Sequence, residues 1–176
     1  MSTWNIDAGH SEIGFVVKHL MISKVRGMFK TFSGTLVADT DDFANAKISF
    51  ETDAESVDTN NKQRDEHIKS ADFFDVAQFP KLTFASTSFS KNSDGVYSLT
   101  GTLTLHGVSK EITLEVTGGN IVQGLYGARV TAFELSGAIN RNDFGVVTNM
   151  PMSTGDVVIG EEVTLNLSVE LTEESK

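Results

Sequence analysis

The chain of 176 residues contains no cysteine and only two prolines. Without thiols there can be no disulfide, no thiolate nucleophile and no cysteine-based zinc site, although this leaves the cellular compartment undetermined. Positive charge is also scarce: 14 lysines and arginines face 24 acidic residues, for a net charge of −10. Such a chain repels phosphate backbones, which argues against nucleic acid as a partner. It repels anionic membrane surfaces too, and only a local basic cluster could let nucleic acid evade the argument. No run approaches the ~20 apolar residues that a membrane-spanning helix needs, so no integral membrane segment is expected. The segment MSTWNIDAGHSEI has neither a basic nor an apolar leader region. The Met1-Ser2 start favours a cytoplasmic location, with the periplasm as the alternative had a leader been removed.

What the sequence does contain is alternation. Apolar and polar residues exchange places near 12–20, 24–37, 45–54, 81–90, 95–106, 110–118, 127–139 and 161–171. Turn chemistry stands between them, as in KNSDG at 91–95 and the His106-Gly107 corner of TLTLHGVSKEITLEV. The pattern predicts an all-β fold of about eight antiparallel strands in one domain. Closing the sheet removes its edges, so an eight-stranded barrel is preferred over a flattened sandwich. One segment departs from period two. NNKQRDEHIKSADFF reads as a short helix in the connection near residues 60–71, with Asn60 as N-cap and Gln63 three residues later. Arg64, His67, Ile68 and Ala71 share a face of that helix, which turns Arg64 and His67 toward the body of the protein. Asp65 and Lys69 pair on another face.

The candidate site follows from which face of each strand is apolar. In SEIGFVVKHL, Ile13, Phe15 and Val17 share one side of the pleat, and that side ends in His19. The same reasoning points Phe50, Phe84, Leu99, Leu103, Phe133, Leu135, Leu165 and Leu167 inward. These side chains either pack on one another or surround a ligand channel, and alternation alone does not distinguish the two. His19 reads as a core histidine, a channel residue, a metal ligand or a general base. Arg64 is placed either to clamp an anionic head group or to pair with Asp143. Arg141, in INRNDFG, either faces the channel mouth or belongs to a turn. Gly34, Gly101 and Gly137, inside strand patterns, lower the packed volume or mark bends. Met150 and Met152 would make an apolar flap at one end. No catalytic motif is found: GHS at 9–11 lacks the setting of a nucleophile elbow, and there is no P-loop, GxGxxG or HExxH. No metal-ligand set stands at a recognised spacing, and no cofactor is implied.

Six blocks then occur in order from Trp4 to about Leu171: WNIDAGHSEIGFVVKH, VRGMFKTFSGTL, RDEHIKSADFFDVAQFP, GTLTLHGVSKEITL, INRNDFG and GEEVTLNLSVEL. Together they resemble the YceI-like family. The resemblance implies a lipocalin-like barrel with a hydrophobic channel for a long polyisoprenoid or similar lipid, and no established catalytic residues. The expectation is therefore a protein, not an enzyme, that binds, stores or transports a long-chain apolar ligand such as a polyisoprenoid, an isoprenoid quinone or an acyl chain. Two alternatives stand beside it. One is an enzyme acting on such a lipid with His19 or His67 as acid or base. The other is a solid-core interaction module with an acidic surface. A homodimer sharing an apolar rim is compatible with lipid delivery, though nothing in the sequence requires it.

Overall fold

The structure is a computed structural model that describes residues 1–147 and 158–175. Met150 and Met152 lie outside the described residues. The strands are β1 (Ser2–Ile6), β2 (Glu12–His19), β3 (Ser23–Phe29), β4 (Phe32–Ala38), β5 (Lys47–Asp53), β6 (Val57–Asp58), β7 (Lys81–Ser93), β8 (Val96–Leu105), β9 (Val108–Gly118), β10 (Val122–Gln123), β11 (Arg129–Asn140) and β12 (Ile159–Glu173). The helix α1 (Lys62–Lys69) lies between β6 and β7. It is too short and too polar to cross a membrane, as is every described helix.

Hydrogen bonding runs β1–β4–β5–β7–β8–β9–β11–β12 and returns from β12 to β1, which closes an eight-stranded antiparallel barrel. One edge of β12 follows β11 along most of its length. The other edge is shared, with Trp4 opposite Glu173 in β1 and Ile13 opposite Leu167 in β2. β1 and β2 are thus two halves of one wall strand. A 3-10 turn at Ala8–His10 separates them, with the Asp7 carboxylate accepting the Gly9 N–H at 2.9 Å.

The region read as one strand over 24–37 is likewise two, β3 and β4, broken at Lys30 and Thr31. The break is stitched by side chains: Ser56 Oγ accepts from both of those N–H groups at 3.1 Å, and Thr52 Oγ1 donates to Thr31 O at 2.8 Å. β5 and β6 break at the same level, and β3 pairs with β6 as β4 pairs with β5. β1 and the two short strands β6 and β10 were not expected from the sequence.

One end of the barrel is plugged. Trp4 and Phe43 are fully buried there, edge to face at 5.3 Å, and Phe43 meets Phe133 at 5.4 Å. Phe89 stacks on Tyr97 at 4.7 Å, and the Tyr97 hydroxyl donates to Asp42 O at 3.0 Å. Aromatic pairs in such offset and edge-to-face arrangements hold more firmly than their buried area alone provides.

At the opposite end α1 begins one residue later than expected. Asn61, not Asn60, is its N-cap and accepts the Arg64 N–H at 3.0 Å. Asn60 instead occupies the left-handed region at φ 61°. Lys69 pairs with Glu55 at 3.1 Å and Glu66 at 3.3 Å rather than with Asp65, whose carboxylate accepts the Thr59 N–H at 2.8 Å. The His106-Gly107 corner is as predicted: Leu105 faces Val108 and both corner residues have positive φ, as a type I′ turn requires.

Candidate functional site

Inside the barrel lies an apolar cavity of about 300 Å³ that opens at the end opposite the aromatic plug. It is about twice the volume of an engineered cavity that stays dry and admits benzene. Each apolar residue placed inward by alternation lies on its wall: Ile13, Phe15, Val17, Phe50, Phe84, Leu99, Leu103, Phe133, Leu135, Leu165 and Leu167. The polar candidates His19, Arg64 and His67 line it too.

Sequence reasoning missed several wall residues. Ile6 belongs to the unpredicted β1, and Phe73 and Phe74 follow α1 without any period. Ile112, Leu114 and Val116 carried the same alternating signal as the predicted positions and could have been included.

The cavity exists because several inward positions hold no side chain. A Cβ on Gly27 would stand 2.3 Å from Phe15 Cζ, on Gly101 2.4 Å from Phe84 Cζ, on Gly137 2.5 Å from Leu114 Cδ2 and on Gly34 2.7 Å from Ile6 Cδ1. Bulky neighbours therefore lie flat over bare backbone rather than projecting into the lumen. Gly34, Gly101 and Gly137 thus lower the packed volume, and Gly101 also marks an irregularity, standing opposite Ser86 where the β7–β8 register shifts.

Polar groups gather at the mouth. Arg64 Nε donates to Thr59 Oγ1 and Nη2 to Thr59 O, each at 2.7 Å. Its expected partner Asp143 is not engaged. His67 Nε2 is 3.0 Å from Asp72 Oδ2, and its ring stands edge-on to Phe73 at 5.0 Å. The His19 ring has no hydrogen-bond partner among the described residues, so the carbonyl-bonded core histidine is not what the structure places there.

Arg141 satisfies both of its readings. It opens a 3-10 turn, Arg141–Phe144, that Asn140 caps and Gly145 closes at φ 72°. Its side chain is 6% exposed and lines the cavity. Nε donates to Gly160 O at 2.9 Å, Nη1 to Val146 O at 2.8 Å and Asn142 Oδ1 at 3.1 Å, and Nη2 to Ile159 O at 2.9 Å. These bonds clamp the two ends of the β11–β12 connection. Burial lowers the guanidinium pKa from its ordinary value, while Glu161 acts in the opposite sense. Among the described residues neither Arg64 nor Arg141 bonds a carboxylate, although Asp65 shares the Thr59 hydroxyl with Arg64.

Outside the barrel, at the β1–β2 break, His10 Nδ1 lies 2.9 Å from Asp7 Oδ2 and 3.9 Å from Glu170 Oε1. The hydrogen bond with Asp7 raises the imidazole pKa and lowers that of the carboxyl group. The three groups lie close enough together to contact one cation. Sequence spacing gave no sign of this, because β12 supplies Glu170 from the far end of the chain. The cluster is exposed and remote from the cavity mouth.

A closed antiparallel barrel around a one-ended apolar cavity is the architecture of lipocalin-like containers. Within that class, the chain belongs to the YceI-like domain family, whose model matches residues 4–171. It is 34% identical over 173 residues to a UPF0312 protein of Staphylococcus aureus, covering 98% of both chains. Its fold is similar to that of BcnA of Burkholderia cenocepacia, with a TM-score of 0.80 and 25% identity over 94% of this chain and 98% of that one. It is likewise similar to the YCEI protein of Campylobacter jejuni, with a TM-score of 0.73 and 32% identity over 90% of each chain. A polyisoprenoid binding domain from Saccharophagus degradans shares the fold, with a TM-score of 0.72 and 17% identity over 97% of this chain and 98% of that one.

Proposed function

We propose that the barrel binds one long-chain apolar molecule, its tail toward the aromatic plug and its polar end at the mouth, and stores, shields or carries it. The observation that carries this reading is the one-ended cavity of about 300 Å³, whose wall is apolar along its depth and polar at its opening. Such a gradient suits an amphiphile better than a uniformly polar substrate.

Energetics favour length. Each buried CH₂ contributes about 0.8 kcal/mol, so a ten-carbon chain gains about 8 kcal/mol. Association costs of about 4 to 15 kcal/mol offset much of that. Longer isoprenoid or acyl chains retain a surplus. The binding wall is assigned to the apolar residues named above, with His19, Arg64 and His67 as polar contacts. The Saccharophagus degradans domain, described as polyisoprenoid binding, supports an isoprenoid among the candidate ligands through its shared fold. The open interior supports a container over a packed interaction module.

Native mass spectrometry of the freshly purified protein, with extraction of any bound molecule, tests the proposal. A one-to-one adduct of lipid mass is expected. A clean unliganded mass that persists after incubation with isoprenoid quinones and long fatty acids would overturn it.

A further inference from the structure

The β2–β3 hairpin stands at the cavity mouth and differs from the rest of the surface. Its turn is Leu20-Met21-Ile22, with Met21 52% and Ile22 87% exposed. The Ile22 N–H donates to His19 O at 3.2 Å, and Leu20 and Met21 have φ of 53° and 58°. This is a type I′ turn, for which Asn-Gly is the unstrained choice. Bulky apolar residues in the left-handed region carry strain, and such strain concentrates at functional sites. Leu20 is half-buried, but neither the turn nor the core accounts for a methionine and an isoleucine exposed at this tip.

The outward face below the tip is basic. Lys18 stands directly opposite Lys24, and Arg26 opposite Val16. All three cations are exposed, and none forms an ion pair with a described residue. Elsewhere Lys69, Lys81 and Arg129 each hold two acidic partners. Glu161 and Glu162, at the adjoining start of β12, are exposed and beyond ion-pair distance. Like charges directly opposite on paired strands repel, so the hairpin gains nothing internally from Lys18 and Lys24. The inward face of the same hairpin is the cavity wall, through Val17, His19 and Val25. Beyond Met28 the outer edge of β3 has no strand partner, because β6 reaches only Met28 and Phe29.

We propose that this hairpin docks the protein on an anionic lipid bilayer, with Met21 and Ile22 entering the interface and Lys18, Lys24 and Arg26 meeting the headgroups. An apolar tip flanked by cations without an ion-pair partner among the described residues is complementary to such a surface. A second copy of the chain is a poorer occupant, since a symmetric contact would bring six cations together. The net charge of −10 then acts as an orienting force: the acidic remainder is repelled while the hairpin is drawn in. The exposed Leu125 and Tyr126 loop, at the plugged end, lacks this character because the nearby Arg129 is paired with Asp41 and Glu173.

The test is co-sedimentation of the full chain with vesicles of phosphatidylcholine alone and of phosphatidylcholine mixed with phosphatidylglycerol. Binding is expected only to the anionic vesicles and should weaken as salt rises. Lys24→Gln with Arg26→Gln should lower that affinity about tenfold or more. Met21→Ser with Ile22→Ser should also lower it, while the variants keep the wild-type melting temperature and affinity for a long-chain fatty acid. Absence of binding to anionic vesicles at low salt would overturn the proposal, as would unchanged binding by both folded variants. If sedimentation velocity instead shows that the tip variants dissolve a dimer, the surface belongs to a second copy and the proposal fails. Vesicle binding and fatty-acid binding are read separately, so failure of one leaves the other standing.

Discussion

Thr131 is the clearest misfit among the buried residues. It is 1% exposed, opposite Leu171 near the plugged end, and its hydroxyl has no hydrogen-bond partner among the described residues. An unsatisfied buried hydroxyl costs stability that an isosteric methyl does not. Thr131→Val is therefore expected to raise the unfolding free energy by about 1 kcal/mol. A urea titration should show a higher midpoint at unchanged slope. A lower midpoint would mean that the hydroxyl is bonded in solution, for instance by an internal water. Nothing in the sequence marked this residue, since threonine suits either face of a strand. Arg141 was ambiguous for a related reason: its acceptors on Ile159 and Gly160 come from a segment remote in the chain. The apolar wall was legible because burial in a half-solvated strand alternates residue by residue. That it surrounds a space was not legible, because a cavity depends on how neighbouring side chains lie.

The kinked strands show where alternation misleads. Val25, Gly27 and Phe29 face inward on β3, whereas Gly34, Leu36 and Ala38 do so on β4. The inward set moves from odd to even numbers across Lys30 and Thr31. β1 and β2 switch in the opposite direction, from Trp4 and Ile6 to Ile13 and Phe15. Each break restarts the register, which a continuous pattern over 24–37 concealed. The wall glycines give these strands a second role, and two of them separate fold from cavity. The three atoms nearest a Cβ on Gly27 all belong to the Phe15 ring, which can swing into the lumen. Gly27→Ala should thus leave stability within about 1 kcal/mol of wild type, since the lost glycine entropy offsets part of the strain. It should also weaken binding of the longest chains most. A Cβ on Gly101 meets Ala85 O at 2.5 Å, and backbone cannot swing aside. Gly101→Ala should cost about 1 to 3 kcal/mol as an overpacked wall. Thermal melts beside a chain-length series of fatty acids distinguish the two, and equal melting temperatures for both variants would refute the argument.

The barrel as a unit has a direction, with an aromatic plug at one end and a mouth bearing Arg64, His67 and Arg141 at the other. The only tryptophan in the chain, Trp4, lies at the plug. It is held there by its indole N–H donating to Ser2 Oγ at 2.9 Å and by the Arg129 guanidinium 5.5 Å over its ring. A ligand that enters tail first must bring its methyl end toward Phe133 and its polar end toward Arg64. Saturation at a hundred times the dissociation constant should stabilise the fold by about 2.7 kcal/mol. For a chain of this size that is a rise in melting temperature of roughly 5 to 10 °C. Orientation is read independently of stability by bromine, which quenches indole fluorescence only at short range. A fatty acid brominated near its methyl end should quench Trp4 strongly, and the isomer brominated beside the carboxylate should leave it bright. The reverse ranking would place the head group at the plugged end, where the cavity wall is Phe89, Leu99 and Phe133. Equal and weak quenching, with the melting temperature still raised, would mean that the chain stops short of the plug and that Phe89, Leu99 and Phe133 form an unoccupied floor.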